Sequence, residues 1–149
     1  SAPLTAGCRP ARRSPYFTRD RAAQAPARLG LGVAVDYALA IGLDAIEARC
    51  RPLVNRLREG LAVIPGLRLR DLGMNPSAIV SFTLEGIEAQ AVVRVAAAAD
   101  ITIGVSNPSS TLLDAEARGL PPLVRASPHY HNTKAEVDRL VEVAARLAV

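Results

Sequence analysis

Tryptophan is absent from this 149-residue chain, and aromatic residues make up only 3% of it. The five that occur, Tyr16, Phe17, Tyr37, Phe82 and Tyr130, are too scattered to form a platform on which bases could stack. Lysine is scarcer still, because Lys134 is the sole lysine among 18 basic residues. It stands in the first turn of what reads as the last helix, so its amine is expected to be exposed rather than desolvated into a nucleophile. The two cysteines, Cys8 and Cys50, form no CxxC motif and have no apolar signal segment before them. That usage points to a reducing, cytoplasmic setting with inert thiols rather than to a disulfide framework. No apolar run reaches the roughly 18 residues that a membrane span requires. The best stretch, residues 29–43, is broken by Asp36 and holds three glycines, so no membrane partner is expected. GxGxxG, GxxxxGK[ST], GxSxG and HExxH are all missing. His129 and His131, the only histidines, could face one way on a strand, but upstream acids come no nearer than Asp114 and Glu116. A polar turn before a helix is the reading taken for them, and no metal is expected.

What is present fits a single folded domain: 50% of residues are hydrophobic and 21% charged. A chain this long buries roughly 68–70% of its unfolded surface and needs no staple. The formal charge of +4 is unevenly placed. Residues 1–28 carry six arginines against Asp20, a net of +5, while the remainder carries 12 basic and 13 acidic groups, a net of −1. The body therefore offers no basic face to a phosphate backbone, which argues against nucleic acid; only the arm keeps that reading open.

Residues 1–28, with four prolines and no apolar period, read as an extended Arg/Pro-rich leader or interdomain linker, and residues 29–149 as the domain. Leu29, Val33, Tyr37 and Ile41 share one helical face that Gly42 ends. Asp44 is expected to N-cap a second helix whose apolar positions are Ile46, Cys50, Leu53, Leu57, Leu61 and Ile64, with a break near Pro52. Strands are expected over residues 67–70, 78–84, 101–105 and 123–127, with a turn at Asn75-Pro76. Ile87, Ala91, Val95 and Ala99 mark a helix between the second and third strands, and residues 106–110 a polar loop. Thr133-Lys134-Ala135-Glu136 is a capping box that opens a last helix striped by Val137, Leu140, Val141, Ala144 and Leu147. This order implies an α+β fold, with a small antiparallel or mixed sheet of three to four strands covered by helices.

Several segments together resemble one family. Ala27-Arg28-Leu29-Gly30-Leu31-Gly32-Val33-Ala34-Val35-Asp36-Tyr37-Ala38-Leu39, Gly42-Leu43-Asp44-Ala45-Ile46-Glu47-Ala48-Arg49, Ile64-Pro65-Gly66-Leu67, Ala78-Ile79-Val80-Ser81-Phe82 and Val124-Arg125-Ala126-Ser127-Pro128-His129-Tyr130-His131-Asn132-Thr133 occur in that order. Over about residues 27–148 they resemble the C-terminal small domain of class V aminotransferases. These are fold-type-I pyridoxal-phosphate enzymes that include cysteine desulfurases, carbon–sulfur lyases and isopenicillin N epimerase-like proteins. Residues 112–120 resemble the desulfurase-like or epimerase-like branch.

The resemblance implies a pyridoxal phosphate (PLP) cofactor held mainly by a large N-terminal domain, which supplies the Schiff-base lysine, an Asp at the pyridine nitrogen and a stacked aromatic. Nothing of that kind precedes Leu29, so the chain is expected to be a fragment, a truncated product or half of a split enzyme, and not to bind PLP alone. Where relatives have Phe-Glu and a small polar residue, this chain reads Phe17-Thr18-Arg19. The resemblance places Arg125 at the position that binds the substrate α-carboxylate, a task suited to a planar fork of donors. Read from the residues alone, Arg125 is also open to an ion pair with Asp114, Glu116 or another surface acid. The resemblance also turns residues 106–111 toward the substrate and makes Asn132-Thr133 a helix cap. The expected partners are the missing large domain or a second copy, and an amino-acid substrate. Two other readings stay open: a non-catalytic interaction or dimerisation module derived from such an enzyme, and an Arg-arm binder of anionic surfaces.

Overall fold

The computed structural model describes the backbone of residues 21–71 and 77–148, and side chains from residue 28 onward. The Asn75-Pro76 turn, Cys8 and the first part of the leader lie outside the described residues. Helix α1 spans Arg21–Ile41, so helix replaces the extended chain expected for residues 21–28. Ala22, Ala23, Ala25 and Ala27 explain the difference, because alanine has the highest helix propensity and tertiary period is not needed to express it. Residues 1–41 form one unit and residues 42–149 a second.

Gly42, at φ 94°, separates α1 from α2, Leu43–Ala62. Gly42 rather than Asp44 occupies the N-cap, with no side-chain cap. The positive φ that glycine permits turns the chain so early that Asp44 falls inside the first turn, where its charge still favours the helix N-terminus. Helix α2 also runs unbroken through Pro52. Pro52 faces solvent, and its cost of about 3 kcal/mol is outweighed by Leu53, Val54, Leu57 and Leu61, each buried and each contributing about 1.5–3 kcal/mol.

The second unit continues through β1 (Leu67–Leu69), β2 (Val80–Leu84), α3 (Ala89–Ala98), β3 (Gly104–Ser106), α4 (Leu112–Arg118), β4 (Leu123–Ala126) and α5 (Lys134–Leu147). The sheet order is β1-β2-β4-β3, and every pairing is antiparallel. Val80, Phe82 and Leu84 of β2, with Val124 and Ala126 of β4, point to one face and are buried against α2, α3 and α5. The opposite face keeps Ser81, Thr83 and Arg125.

Two further departures from the sequence pattern have local causes. In α3 the buried residues are Ala89, Val92 and Ala96, and Val95 is exposed, so the core-facing stripe lies one position away from that drawn through Ala91 and Val95. Runs of Ala and Val flank both stripes and leave the sequence period ambiguous. Helix α4 was not expected at all. It leaves Leu112 and Leu113 exposed, so it has no amphipathic period to read. A short 3-10 turn, Pro108–Ser110, precedes it, and Gly119 at φ 57° ends it.

Candidate functional site

Strand β4 turns Arg125 outward by simple alternation: Val124 and Ala126 are each 1% exposed on the core face, so the residue between them must project from the other. Its cross-strand neighbours are Ser81 on β2 and Gly104 on β3. A Cβ placed on Gly104 would meet nothing within 4 Å, so the side of Arg125 toward β3 is open space. Asp114, the acid offered by the sequence as a structural partner, instead pairs with Arg118 at 3.0 Å. Among the described residues Arg125 is exposed and has neither an ion pair nor a hydrogen bond.

The other side of Arg125 is held by a polar lattice that the sequence did not disclose. The Arg70 N–H donates to the Ser81 carbonyl at 2.7 Å, but the returning bond of the ladder is replaced. The Ser81 N–H donates at 2.8 Å to Asp71 Oδ1, which also accepts from the Ser81 hydroxyl at 3.2 Å. This frees the Arg70 carbonyl, which accepts from Arg118 Nη2 at 2.7 Å. Asp71 is fixed in turn by Arg58 Nε at 2.8 Å, in a pair only 15% and 16% exposed at the side chains. Arg70 Nε donates to Thr83 Oγ1 at 3.0 Å, which lays its guanidinium along the open face. The Asp71 carboxylate and the backbone groups around it are all bonded, so the surface beside Arg125 is braced rather than adaptable.

The turn after β4 is fastened to two helices. The His129 N–H donates to Asn132 Oδ1 at 2.8 Å, and Arg49 Nη2 of α2 donates to the Asn132 carbonyl at 3.1 Å. Arg49 Nε also reaches the Tyr130 carbonyl at 3.4 Å. The Glu136 N–H donates to Thr133 Oγ1 at 3.2 Å, while the Thr133 N–H donates to Glu136 Oε2 at 2.7 Å, completing the capping box. The Thr133 N–H, followed by the Thr133 hydroxyl and the Asn132 amide, holds the Glu136 carboxyl below its usual range. His129 and His131 pack ring against ring at 5.3 Å, and no group of three metal-ligating side chains occurs among the described residues. A cleft of about 370 Å³ lined by Asp100, Ser127, His131, Asn132, Glu136 and Arg139 opens on the helical side, away from Arg125. Residues 106–111 are exposed or half-buried and leave β3 at the end where Ser106 pairs with Leu123. Cys50 is buried in α2, and no single helix among the described residues is long and apolar enough to cross a membrane.

Comparison with known proteins places this arrangement. The family model for aminotransferase class-V matches residues 18–140. A probable cysteine desulfurase of Xylella fastidiosa is 33% identical over 113 residues, covering 76% of this chain and 27% of that protein. The apo structure of a cysteine desulfurase from Thermococcus onnurineus superposes with a TM-score of 0.72 at 26% identity, covering 80% of this chain and 30% of that one. The chain thus spans less than a third of the length of these relatives. A C-DES variant with glycine covalently linked to its PLP cofactor is 21% identical, with a TM-score of 0.51 over 66% of this chain, a likeness of fold alone. PLP is the cofactor of the family, but the described residues do not by themselves fit it: Lys134 is exposed at the first position of α5 and lines none of the three main clefts among those residues. By the family match over residues 18–140 and the desulfurase relatives, the chain belongs to the class V aminotransferases.

Proposed function

We propose that residues 29–149 act as the C-terminal small domain of a PLP-dependent enzyme of the desulfurase, carbon–sulfur lyase or epimerase branch. In this reading Arg125 binds the α-carboxylate of an amino-acid substrate. The observation that carries it is the guanidinium itself: exposed, without an internal partner among the described residues, and set between Ser81 and the open space over Gly104. A planar fork in that position can take both carboxylate oxygens at once, and the braced Asp71–Ser81 side limits how far the bound carboxylate can shift. The domain's own contribution is binding and orientation; the lysine and the cofactor seat belong to a large domain such as makes up the rest of the relatives' length. The chain alone is not active in this reading, and the reducing setting inferred from its cysteines makes the enzyme cytoplasmic.

The test is Arg125→Ala in an assembly with the large domain of a class V relative. Substrate binding is expected to weaken by about 1.5–3 kcal/mol, the range of a hydrogen-bonded charge, with partial rescue by Arg125→Lys. In the chain alone the same change is expected to shift stability by less than about 0.5 kcal/mol, because the residue is exposed and unpaired. Unchanged substrate binding with a large loss of stability would make Arg125 a structural residue. The alternative, a non-catalytic interaction module, is favoured if the variant leaves both quantities unchanged.

A further inference from the structure

The sheet register puts a second guanidinium level with Arg125. Arg70 stands opposite Ser81 through its N–H bond to the Ser81 carbonyl, and Ser81 stands opposite Arg125, so Arg70, Ser81, Arg125 and Gly104 form one row across the four strands. Arg70 and Arg125 are therefore two strand spacings apart, about 10 Å between Cα atoms, with only a small hydroxyl residue between them. The Arg70 side chain lies on the same open face, because its Nε donates to Thr83 Oγ1, and Thr83 alternates with the buried Phe82 and Leu84.

Among the described residues no acid pairs with either guanidinium. Asp71, the carboxylate nearest in sequence to Arg70, is occupied by Arg58 and by Ser81, and Asp114 is occupied by Arg118. Arg118, itself compensated by Asp114, meets the Arg70 carbonyl through its Nη2 and leaves the Arg70 guanidinium unpaired. On the next row Arg68 stands opposite Thr83 on this face, with Glu85 beyond it beside Gly66. The hydrogen bond to Thr83 uses only Nε of Arg70 and leaves both terminal nitrogens for a ligand, already oriented. Uncompensated like charges fixed close together raise the local potential and favour an anion that spans them.

We propose that this row is a two-anion site, taking an amino-acid-like ligand whose α-carboxylate lies on Arg125 and whose distal carboxylate lies on Arg70. The proposal rests on the reading of Arg125 given above and extends it to the substrate class. A small dianion fits better than a polyanion, since the row offers two forks over a four-strand sheet rather than an extended basic stripe, and no aromatic side chain flanks it for base stacking. The open space over Gly104 gives the α-carbon substituents room on the side away from Arg70.

The test titrates the ¹⁵N-labelled 149-residue chain at low ionic strength with glutarate, a dianion, and with butyrate, a monoanion of similar chain length. The amide shifts of Ser81, Gly104 and Arg125 are followed. Glutarate is expected to bind about five-fold more tightly than butyrate, the range of one additional exposed ion pair. Arg70→Gln is expected to abolish that preference and leave butyrate binding unchanged, while Arg125→Gln weakens both ligands. Arg70→Lys, which keeps the charge without the fork, is expected to keep part of the preference and supplies the comparison if the Gln variant loses its dispersed spectrum. Equal binding of the two ligands, or an undiminished preference in the Arg70 variants, overturns the two-anion site while leaving Arg125 as a carboxylate ligand. Unchanged binding of both ligands in Arg125→Gln removes the Arg125 reading and this proposal with it.

Discussion

Thr133 and Glu136 hold the first turn of α5, and through it the end of the turn that begins where β4 releases Arg125. Thr133→Ala removes the acceptor of the Glu136 N–H and is expected to cost about 1 kcal/mol at neutral pH, read as a lower urea midpoint. The same change has a signature in pH. The folded protein holds the Glu136 carboxyl below its usual range through Thr133, and Asp138 below its own through the hydrogen bond from Arg56. A carboxyl with a depressed folded value stabilises fully above its unfolded value, about pH 4 for these residues, and loses that contribution as pH falls through the folded one. Wild type is therefore expected to lose stability on acidification below about pH 5. Thr133→Ala is expected to start lower and lose somewhat less, because the Thr133 hydroxyl, the second cause of the Glu136 depression, is gone while the backbone N–H of residue 133 and the Arg56–Asp138 pair remain. Parallel losses in the two proteins would mean that the Thr133 hydroxyl does not contribute to that titration.

At the scale of elements, α2 and α5 approach closely at Gly60. A Cβ there would lie 2.7 Å from Val141 Cγ2 and 3.1 Å from its Cγ1. Helix propensity by itself makes Gly60→Ala stabilising by about 1 kcal/mol, but Val141 is β-branched and cannot easily rotate its methyls away within a helix. Overpacking of this kind costs about 1–3 kcal/mol, so the substitution is expected to destabilise on balance. The double variant Gly60→Ala, Val141→Ala is expected to recover most of that loss, and thermal unfolding of the four-protein cycle measures the coupling. Additive effects would show that the helices part freely at this point.

Across the whole molecule, stability is unevenly distributed. Leu29, Val33 and Tyr37 of α1 are 74%, 70% and 62% exposed, and Leu31, Val35 and Leu39 on its other faces are also exposed. Gly30 and Gly32 lie in the interior of α1 and weaken it as a helix, whereas α2, β2, β4 and α5 share one buried core. Native-state hydrogen exchange is expected to show α1 amides exchanging orders of magnitude faster than those of Leu57, Phe82 and Leu140. Uniform protection across both units would refute it. A second whole-chain expectation concerns the cofactor: mixed with PLP, the 149-residue chain is expected to give no stable Schiff-base absorption band. A band lost in Lys134→Ala would show that the exposed lysine does react.

What the sequence determined is what depends on local chemistry and period. The strongest apolar spacing produced α2, Thr133-Lys134-Ala135-Glu136 produced the cap of α5, and alternation produced β2, because neighbours within a few residues decide each. The ordered segments around Val124-Arg125-Ala126-Ser127 carried the family, and with it the assignment of Arg125. Strand β1 forms within the expected residues 67–70, whereas β3 forms at Gly104–Ser106 rather than over the expected 101–105, because the length of a short strand depends on where its partner stops hydrogen bonding. Helix α4 was hidden because its large apolar residues face solvent and generate no period. Only the tertiary structure showed which arginine Asp114 pairs with. Asp114 lies one helical turn from Arg118 and pairs with it, leaving Arg125 free of an internal acid among the described residues. Likewise, Arg70 and Arg125 are 55 positions apart in the chain and share a row only because β4 inserts between β2 and β3. Cross-strand register is set by side chains packing on the buried face, so the composition of the opposite, open face could not be read before the sheet was seen.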